Sequence, residues 1–269
     1  MLACQVSIPV TDNAAQRDEH VDRLAVKISE ALSSHNAELV VLPELCTIDY
    51  SRASFDHLAN LAETLDGRTV SVMAALAKKY SSAMVFGMPR QDQGHYFISQ
   101  VVLDAAGELL GCYDKLHICQ YGASMEKEYF QRGNNTTVFE LRGFRFAPII
   151  CYDIRIPELS RTLAIDQNVH CILHCGAYFR DESFATWHSF VTTRAMENQL
   201  YIVSLNRAGK CYGDSIFCPP WVDQNHPAEL FDPHREELRF LQINRQRMVQ
   251  VRAEYTFLAD RLPDYAVLT

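Results

Sequence analysis

The sequence has no uninterrupted apolar run of 18 residues and no excess of positive charge. Without such a run we expect no membrane span, and the start MLACQVSIPV has neither the basic segment nor the small-residue cleavage site of an export signal. The 269 residues include 25 Lys and Arg against 33 Asp and Glu, a formal net charge of −8. Because this charge repels phosphate backbones and anionic lipid, we expect a small-molecule ligand rather than a nucleic acid or a membrane.

Glycine and proline are also scarce, at 11 and 10 residues, and nowhere form a linker. The content of 48% hydrophobic and 22% charged residues excludes collagen-like, low-complexity and disordered chains. The length suits one large α/β domain. We therefore expect a single domain over residues 1–269.

The nine cysteines contain no C-x-x-C pair and lie mostly in apolar runs, so they do not resemble a secreted disulfide framework. A reducing, cytoplasmic location is expected. A metal site formed by His117 and Cys119, or by Cys171, His174 and Cys175, is an alternative. However, neighbouring residues in a strand point to opposite faces, and the spacing does not match zinc sites. We expect no metal.

Hydrophobic periodicity predicts alternating strands and helices. In the first half, the predicted elements are a strand at 2–8, a helix at 13–34, a strand at 39–42, a helix at 68–80, and strands at 84–88, 97–103 and 109–113. In the second half, they are a strand at 145–150, a helix opened by Pro157, a strand at 169–174, a helix at 185–199, and strands at 201–205, 215–218 and 238–243. The order predicts an α/β fold of large mixed sheets with helices on their outer faces.

Three of the predicted strands are followed by a residue with catalytic chemistry. Glu44 follows Pro43, which cannot continue a central ladder, and Lys115 and Cys151 each come directly after an apolar strand. Each alone has an ordinary explanation, as a capping carboxylate, a surface charge and a small buried hydrophobe. Together they supply what thiol-based acyl transfer needs: a nucleophile, a proton carrier, and a cation that lowers the thiol pKa and stabilises an oxyanion.

The segments VVLPEL around Glu44, YDKLH around Lys115 and IICYDIRIPE around Cys151 resemble the Glu-Lys-Cys signature of the nitrilase superfamily, the carbon-nitrogen hydrolases. GAYF, TTRAMENQLYIVSLNRAG and FLADRLPDY also resemble that family, so the similarity covers almost the whole chain. The resemblance implies a four-layer α-β-β-α sandwich, pairing of protomers through the outer helices into a homodimer or higher homo-oligomer, and no cofactor.

The resemblance also implies a role for each matching residue. Cys151 would be the nucleophile, Glu44 the general base and later acid, and Lys115 the cation facing the oxyanion. The backbone N–H of Tyr152 would complete the oxyanion hole.

A second active-site glutamate is similar to Glu126 in MEKEYFQRG, with Glu128 as the competing choice. By composition alone, Glu126 could equally be a solvated acid at the start of a helix. Arg194 and Glu197, at i and i+3 of a predicted helix, are interpreted as a structural ion pair.

One segment departs from the family pattern. Residues 218–231, CPPWVDQNHPAELF, lack the turn glycine of relatives and carry the bulky Trp221 and His226. We expect this hairpin to be built differently, which affects substrate specificity and protomer contacts rather than the triad.

The resemblance implies hydrolysis of a non-peptide C–N bond. CYDIRIPE is similar to the amidase-like branches, which favours a small linear amide, the ω-amide of a carboxylic acid, with release of ammonia. The short spacing from Lys115 to Glu126 is similar to that of carbamoyl-amine hydrolases, so an N-carbamoyl amine or amino acid is an alternative. A nitrile substrate and a catalytically idle scaffold of the same fold are further alternatives.

Overall fold

The computed structural model describes residues 1–262 and residue 265; residues 263 and 264 of the FLADRLPDY segment lie outside the described residues. The strands are β1 (Leu2–Gln5), β2 (Leu39–Val41), β3 (Ala83–Asp92), β4 (His95–Leu103), β5 (Leu109–Asp114), β6 (Phe139–Leu141), β7 (Phe144–Ile150), β8 (Cys171–Cys175), β9 (Tyr201–Leu205), β10 (Ile216–Cys218), β11 (Glu229–Leu230) and β12 (Glu237–Phe240). The helices are α1 (Ala14–Ser34), α2 (Arg52–Phe55), α3 (Leu58–Leu61), α4 (Arg68–Tyr80), α5 (Pro157–Ile165), α6 (Phe184–Asn198), α7 (Arg245–Glu254) and α8 (Phe257–Asp260).

The strands form two six-stranded mixed sheets. The first has the order β12-β1-β2-β3-β4-β5 and the second the order β11-β10-β9-β8-β7-β6. Strands β1, β2 and β3 are parallel, as are β7, β8 and β9, while the outer strands pair antiparallel. Each sheet therefore has a central parallel core, which requires helical crossovers and buries both of its faces.

Period-two alternation divides each central strand between two apolar layers. In β2, Leu39 and Val41 face the second sheet, whereas Val40 faces the helices α1 and α4. On the far side, α5 and α6 cover the second sheet with side chains such as Leu163 and Trp187. The layer order is helix, sheet, sheet, helix. This is the four-layer α-β-β-α sandwich that the resemblance implied.

The strongest periodic segments were predicted well. Helix α4 occupies the predicted residues, and α1 begins after Asn13, whose side chain accepts a hydrogen bond from the Gln16 N–H as an N-cap. The predicted strand at 2–8 was too long, because β1 ends at Gln5. The pattern missed β6, β11 and the polar helix α7, which present too little apolar periodicity to be recognised.

The segment after β10 forms a hairpin with a long connection. Strand β10 pairs with β11 across an insertion of residues 219–228. Within the insertion, Trp221 stacks on Tyr255 with a ring-centroid distance of 3.7 Å and also contacts Phe257. The insertion therefore packs on the C-terminal helices.

All nine cysteines are free thiols. Across residues 1–262 and 265, no helix combines the length and the apolar character needed to cross a bilayer. The same residues contain no cluster of three or more side chains of the kinds that ligate metals.

Candidate active site

The three predicted strand-end residues meet at one edge of the sandwich. Glu44 follows β2, Lys115 follows β5 and Cys151 follows β7. Strands β2 and β5 run in the same direction in the first sheet, because two antiparallel steps separate β3 from β5. In α/β sheets, ligand sites form beyond the carboxyl ends of the parallel strands.

Glu44 lies in a tight turn packed on β3. A β-carbon at Gly87 would lie 2.4 Å from the Pro43 carbonyl oxygen and 2.5 Å from the Leu45 nitrogen, so this close approach requires glycine. The Cys46 N–H donates to the Gly87 carbonyl at 2.9 Å, and Leu45 has φ +46°. The turn is thus held in a strained conformation that directs Glu44 into the interior.

Arg207, which follows β9, secures the same turn from the second sheet. Its buried guanidinium donates to the carbonyls of Leu45 and Ile48, each at 3.1 Å, and pairs with Asp49 at 3.2 Å. The Leu45 carbonyl also accepts from the Ile48 N–H at 3.2 Å, and a charged donor adds a strong hydrogen bond to each carbonyl. Arg207 therefore links the Glu44 turn to the sheet that carries the cysteine.

Lys115 lies between two carboxylates. Its Nζ is 2.9 Å from Glu44 Oε1 and 2.6 Å from Glu126 Oε1, and all three side chains are fully buried. Glu126 also accepts hydrogen bonds from the Tyr50 hydroxyl at 2.6 Å and the Cys119 N–H at 2.9 Å. Glu44 Oε2 is buried and has no hydrogen-bond partner among the described residues, which leaves a lone pair for a proton.

The structure separates the two candidate glutamates. Glu126 opens a 3-10 turn (Glu126–Glu128) and is fully buried, so it is not the solvated acid that composition alone allows. Glu128 is exposed and forms a surface ion pair with Arg52 at 2.6 Å. Of these two glutamates, Glu126 is the one that contacts Lys115.

Cys151 opens a 3-10 turn (Cys151–Arg155) with φ +46°, a left-handed conformation that is unfavourable for a residue with a β-carbon. Asp153 in this turn is fully buried. Its Oδ2 accepts from the Ile150 N–H at 2.9 Å and the Tyr113 hydroxyl at 2.7 Å, and its Oδ1 accepts from the His117 N–H at 3.0 Å. One carboxylate thereby joins the cysteine turn to the segment that carries the lysine.

The electrostatics correct one expectation about the thiol. Burial raises the pKa of Cys151 well above its ordinary value, Glu44 raises it further, and the opposing effect of Lys115 is insufficient. Lys115 lowers the pKa of the thiol, but burial and the two carboxylates raise it more. The resting group is a thiol that must be deprotonated as it attacks.

The pKa values of Glu44 and Lys115, beside the thiol, are shifted in directions that suit deprotonation of the thiol. Burial raises the pKa of Glu44 to about 7, with Lys115 opposing and the charge of Glu126 adding to the rise. Although burial alone favours the neutral amine, Glu126 and Glu44 raise the pKa of Lys115 well above its ordinary value. Glu44 is therefore a base near neutral pH, and Lys115 remains a cation.

A small cleft, with a volume of about 40 Å³, opens onto Cys151 and Glu126. Five aromatic side chains are among the lining residues: Tyr50, Tyr121, Tyr152, Tyr178 and Phe179. Arg155 and Asp181 are the charged side chains that line it besides Glu126.

The Glu126→Gln variant tests the electrostatic coupling. Glu44 acts as a base only when ionised, so kcat/KM should rise with pH through the pKa near 7. Removing the like charge of Glu126 lowers the pKa of Glu44, so this limb of the profile should move to lower pH. The matched control is Glu128→Gln, which removes a carboxylate on the surface. It should keep the pH profile of the wild type. A limb that stays in place in Glu126→Gln would contradict the coupling.

The sequence did not identify Arg207, Asp153 or His174 as supports of the site. Asp153 lies in the CYDIRIPE segment and Arg207 in the SLNRAG segment. Both segments resemble the family, but the sequence gives no indication of the contacts that these two side chains make. Arg194 and Glu197 do form the expected ion pair, at 3.0 Å, and Arg194 also donates to the Ile154 carbonyl at 3.1 Å at the end of the cysteine turn.

The chain is similar to known amidases and carbon-nitrogen hydrolases. The family model described as carbon-nitrogen hydrolase matches residues 3–253. An (R)-stereoselective amidase from a Pseudomonas species is 28% identical over 86% of this chain and 82% of its own length. A 2-oxoglutaramate amidase from Bacillus subtilis is 31% identical over 70% and 72%. The solved carbon-nitrogen hydrolase from Helicobacter pylori superposes with a TM-score of 0.83, at 22% identity, over 100% of this chain and 97% of its own.

Proposed function

This chain belongs to the carbon-nitrogen hydrolase family, the nitrilase superfamily, and we propose that it hydrolyses the terminal amide of a small linear carboxylic acid through a cysteine thioester. The observation that carries the proposal is the buried Glu44–Lys115–Glu126 cluster beside the Cys151 turn. A buried arrangement of two carboxylates around one ammonium is costly to maintain for stability alone. It suits a reaction that moves protons and develops negative charge in a dry site.

In the first half-reaction, Glu44 takes the proton of the Cys151 thiol while the sulfur attacks the amide carbon. The carbonyl electron pair moves to oxygen, and the Lys115 ammonium and the Tyr152 N–H stabilise this oxyanion. When the oxyanion collapses, the C–N bond breaks and Glu44 returns the proton to the departing ammonia. The product is a thioester on Cys151.

In the second half-reaction, Glu44 removes a proton from water as the water oxygen attacks the thioester carbon. The oxyanion forms again at the same position. Its collapse breaks the C–S bond, the sulfur recovers the proton from Glu44, and the carboxylic acid leaves. Throughout both half-reactions, Glu126 stays hydrogen-bonded to the Lys115 ammonium, at 2.6 Å. The ammonium therefore remains between the carboxylates of Glu44 and Glu126. The pKa of Glu44 near 7 suits both directions of proton transfer.

Arg155 supports an acid amide as the substrate. It lines the cleft, and its guanidinium donates to the Ser183 carbonyl at 2.9 Å and the Thr186 hydroxyl at 3.1 Å. Its Nε is buried without a partner among the described residues. A fixed guanidinium with an unused donor suits a carboxylate. The one free carboxylate of an ω-amide would meet this requirement, whereas a simple amide or nitrile would not.

The Arg155→Gln variant tests this assignment. For succinamate, an ω-amide, we expect KM to rise at least about tenfold, in line with the loss of one charged hydrogen bond. For the neutral propionamide, we expect KM to change less than about twofold, because no carboxylate is lost. Parallel increases for both compounds would contradict a carboxylate contact and would indicate a general disturbance of the cleft.

The proposed activity itself is tested by an ammonia-release screen of the wild type. The panel contains ω-amides, N-carbamoyl amines and amino acids, nitriles and neutral amides. We expect the highest kcat/KM with an ω-amide. A preference for N-carbamoyl compounds or nitriles would replace the substrate class but retain the triad. No release from any compound, in a folded sample, would favour an idle scaffold.

We further propose that the chain acts as one domain over residues 1–269, in the cytoplasm, as a homodimer or higher homo-oligomer. Nine free thiols support a reducing compartment. An open groove lined by Met196, Phe257 and Tyr265 beside α5 and α6 supports association through the outer helices. Sedimentation of the purified protein at micromolar concentration tests this, and a sharp monomer boundary would contradict it.

A further inference from the structure

Two side chains from the second sheet hold the carbonyl group of Cys151. His174, in β8, contacts the Cys151 oxygen through Nε2 at 2.9 Å. Tyr178, just beyond the end of β8, donates its hydroxyl to the same oxygen at 2.8 Å. Neither side chain has a role in the proton transfers proposed above.

The hydrogen bonds behind His174 fix its tautomer. The Cys151 oxygen can only accept, so Nε2 of His174 carries the hydrogen, and Nδ1 must accept. Nδ1 lies 2.7 Å from the Ser204 hydroxyl, which therefore donates to it, while the Trp187 indole N–H donates to the Ser204 oxygen at 2.9 Å. Burial lowers the pKa of His174 to about 4, so the ring is neutral and keeps this pattern at neutral pH.

Tyr178 is also held firmly. Its ring stacks on Trp187 with a centroid distance of 4.5 Å and an interplanar angle of 10°. The Asn206 side chain accepts from the Tyr178 N–H at 2.8 Å and donates to the Tyr178 carbonyl at 3.0 Å. Both donors to the Cys151 oxygen are thus fixed by buried neighbours.

The Cys151 carbonyl and the Tyr152 N–H belong to one peptide unit. Because that unit is planar and trans, the two bonds point in opposite directions. The Tyr152 N–H is one of the first in its 3-10 turn and is not needed for the turn's own hydrogen bonds. The hydrogen bonds to the Cys151 oxygen therefore set the direction in which the Tyr152 N–H points.

We propose that His174 and Tyr178 are positioning residues that aim and polarise the Tyr152 N–H of the oxyanion hole through the Cys151 carbonyl. The inference rests on the proposed function, because it assumes that an oxyanion forms opposite this N–H. Two hydrogen bonds to the oxygen draw electron density from the peptide and make its N–H a stronger donor. They also counter the unfavourable left-handed φ of Cys151.

The Tyr178→Phe variant tests this with little change of shape, since the ring and its stacking on Trp187 are retained. We expect kcat for succinamate to fall about tenfold with KM unchanged, which is less than the effect of deleting an oxyanion donor outright. The matched control is Tyr201→Phe, which removes another buried tyrosine hydroxyl, bonded to the Asn244 carbonyl at 3.2 Å. Its kcat should remain at the wild-type value.

A second reaction separates positioning of the oxyanion hole from displacement of the thiol. Methyl methanethiosulfonate reacts with Cys151 at sulfur: an S–S bond forms, methanesulfinate leaves, and no carbonyl adduct arises. Its rate at Cys151, followed by mass spectrometry, should be unchanged in Tyr178→Phe. Equal losses in thiolation and hydrolysis would show that Tyr178 merely supports the thiol, and would overturn the inference.

His174 provides an independent pair of variants. Glutamine can present an N–H at the position of Nε2, whereas leucine cannot, so His174→Gln should retain most of the kcat that His174→Leu loses. Similar kcat values for the two would overturn the inference. If the wild type releases no ammonia from any compound of the panel, the proposed function fails and the inference fails with it. If the wild type is active and the Tyr178 and His174 variants match it, only the inference fails.

Discussion

Replacement of Cys151 by alanine is expected to lower kcat at least about 10⁴-fold while the protein remains folded, because the covalent nucleophile is deleted. Alanine cannot form the thioester. Cys151→Ser should be almost as inactive, because Glu44, with a pKa near 7, is too weak a base for a hydroxyl. The measurement is steady-state ammonia release with thermal melts as the folding control.

Cys112 offers a matched control for that experiment. It is likewise a half-buried cysteine, but it lies within β5 and away from the cleft. Cys112→Ala should retain kcat within about twofold, as for a conservative change remote from the site. Residual activity of Cys151→Ala comparable to this control would contradict the assignment of the nucleophile.

Replacement of Lys115 by methionine is expected to lower kcat at least about 10²-fold, the usual cost of deleting one oxyanion donor. Stability should fall as well, because Glu44 and Glu126 are then left facing each other without a cation. Breaking a buried ion pair in this way costs about 3–5 kcal/mol. Lys115→Arg should restore little activity, since a planar guanidinium does not fit the fully buried site of a compact ammonium.

A charge-balanced double variant separates the two effects of Lys115. Lys115→Met combined with Glu126→Gln removes one positive and one negative charge, so the melting temperature should recover towards that of the wild type. Activity should not recover, because the cation that faces the oxyanion is still missing. If the double variant regained wild-type kcat, Lys115 would be only a structural counter-ion.

The sequence predicted the elements with strong apolar periodicity and the residues that follow them. Glu44, Lys115 and Cys151 were identified because a catalytic residue type directly follows a buried strand, and the structure places all three at one edge. Helix α4 was predicted to the residue for the same reason, since its apolar face is continuous. The four-layer arrangement came only from resemblance, because periodicity gives the faces of a strand but not which sheet lies opposite.

What the sequence could not predict depends on contacts between distant segments. Arg207 reaches the Glu44 turn across about 160 residues, and Asp153 joins the cysteine turn to the segment that carries Lys115. The state of the thiol also required geometry, since its pKa depends on its burial and then on two nearby carboxylates opposed by one ammonium. Sequence spacing alone indicated only the ammonium next to the nucleophile, and therefore suggested a thiolate.

The central claim is that the acyl group of the substrate passes through Cys151. The most direct measurement mixes the enzyme with succinamate, quenches with acid during the first turnover, and determines the mass of the Cys151 peptide. The account predicts a mass gain equal to succinamate less ammonia, persisting longer in Glu44→Gln, where water is activated poorly. Two results together would contradict the account. Cys151 would remain unmodified at every time point although ammonia is released in the first turnover, and added hydroxylamine would yield no hydroxamate.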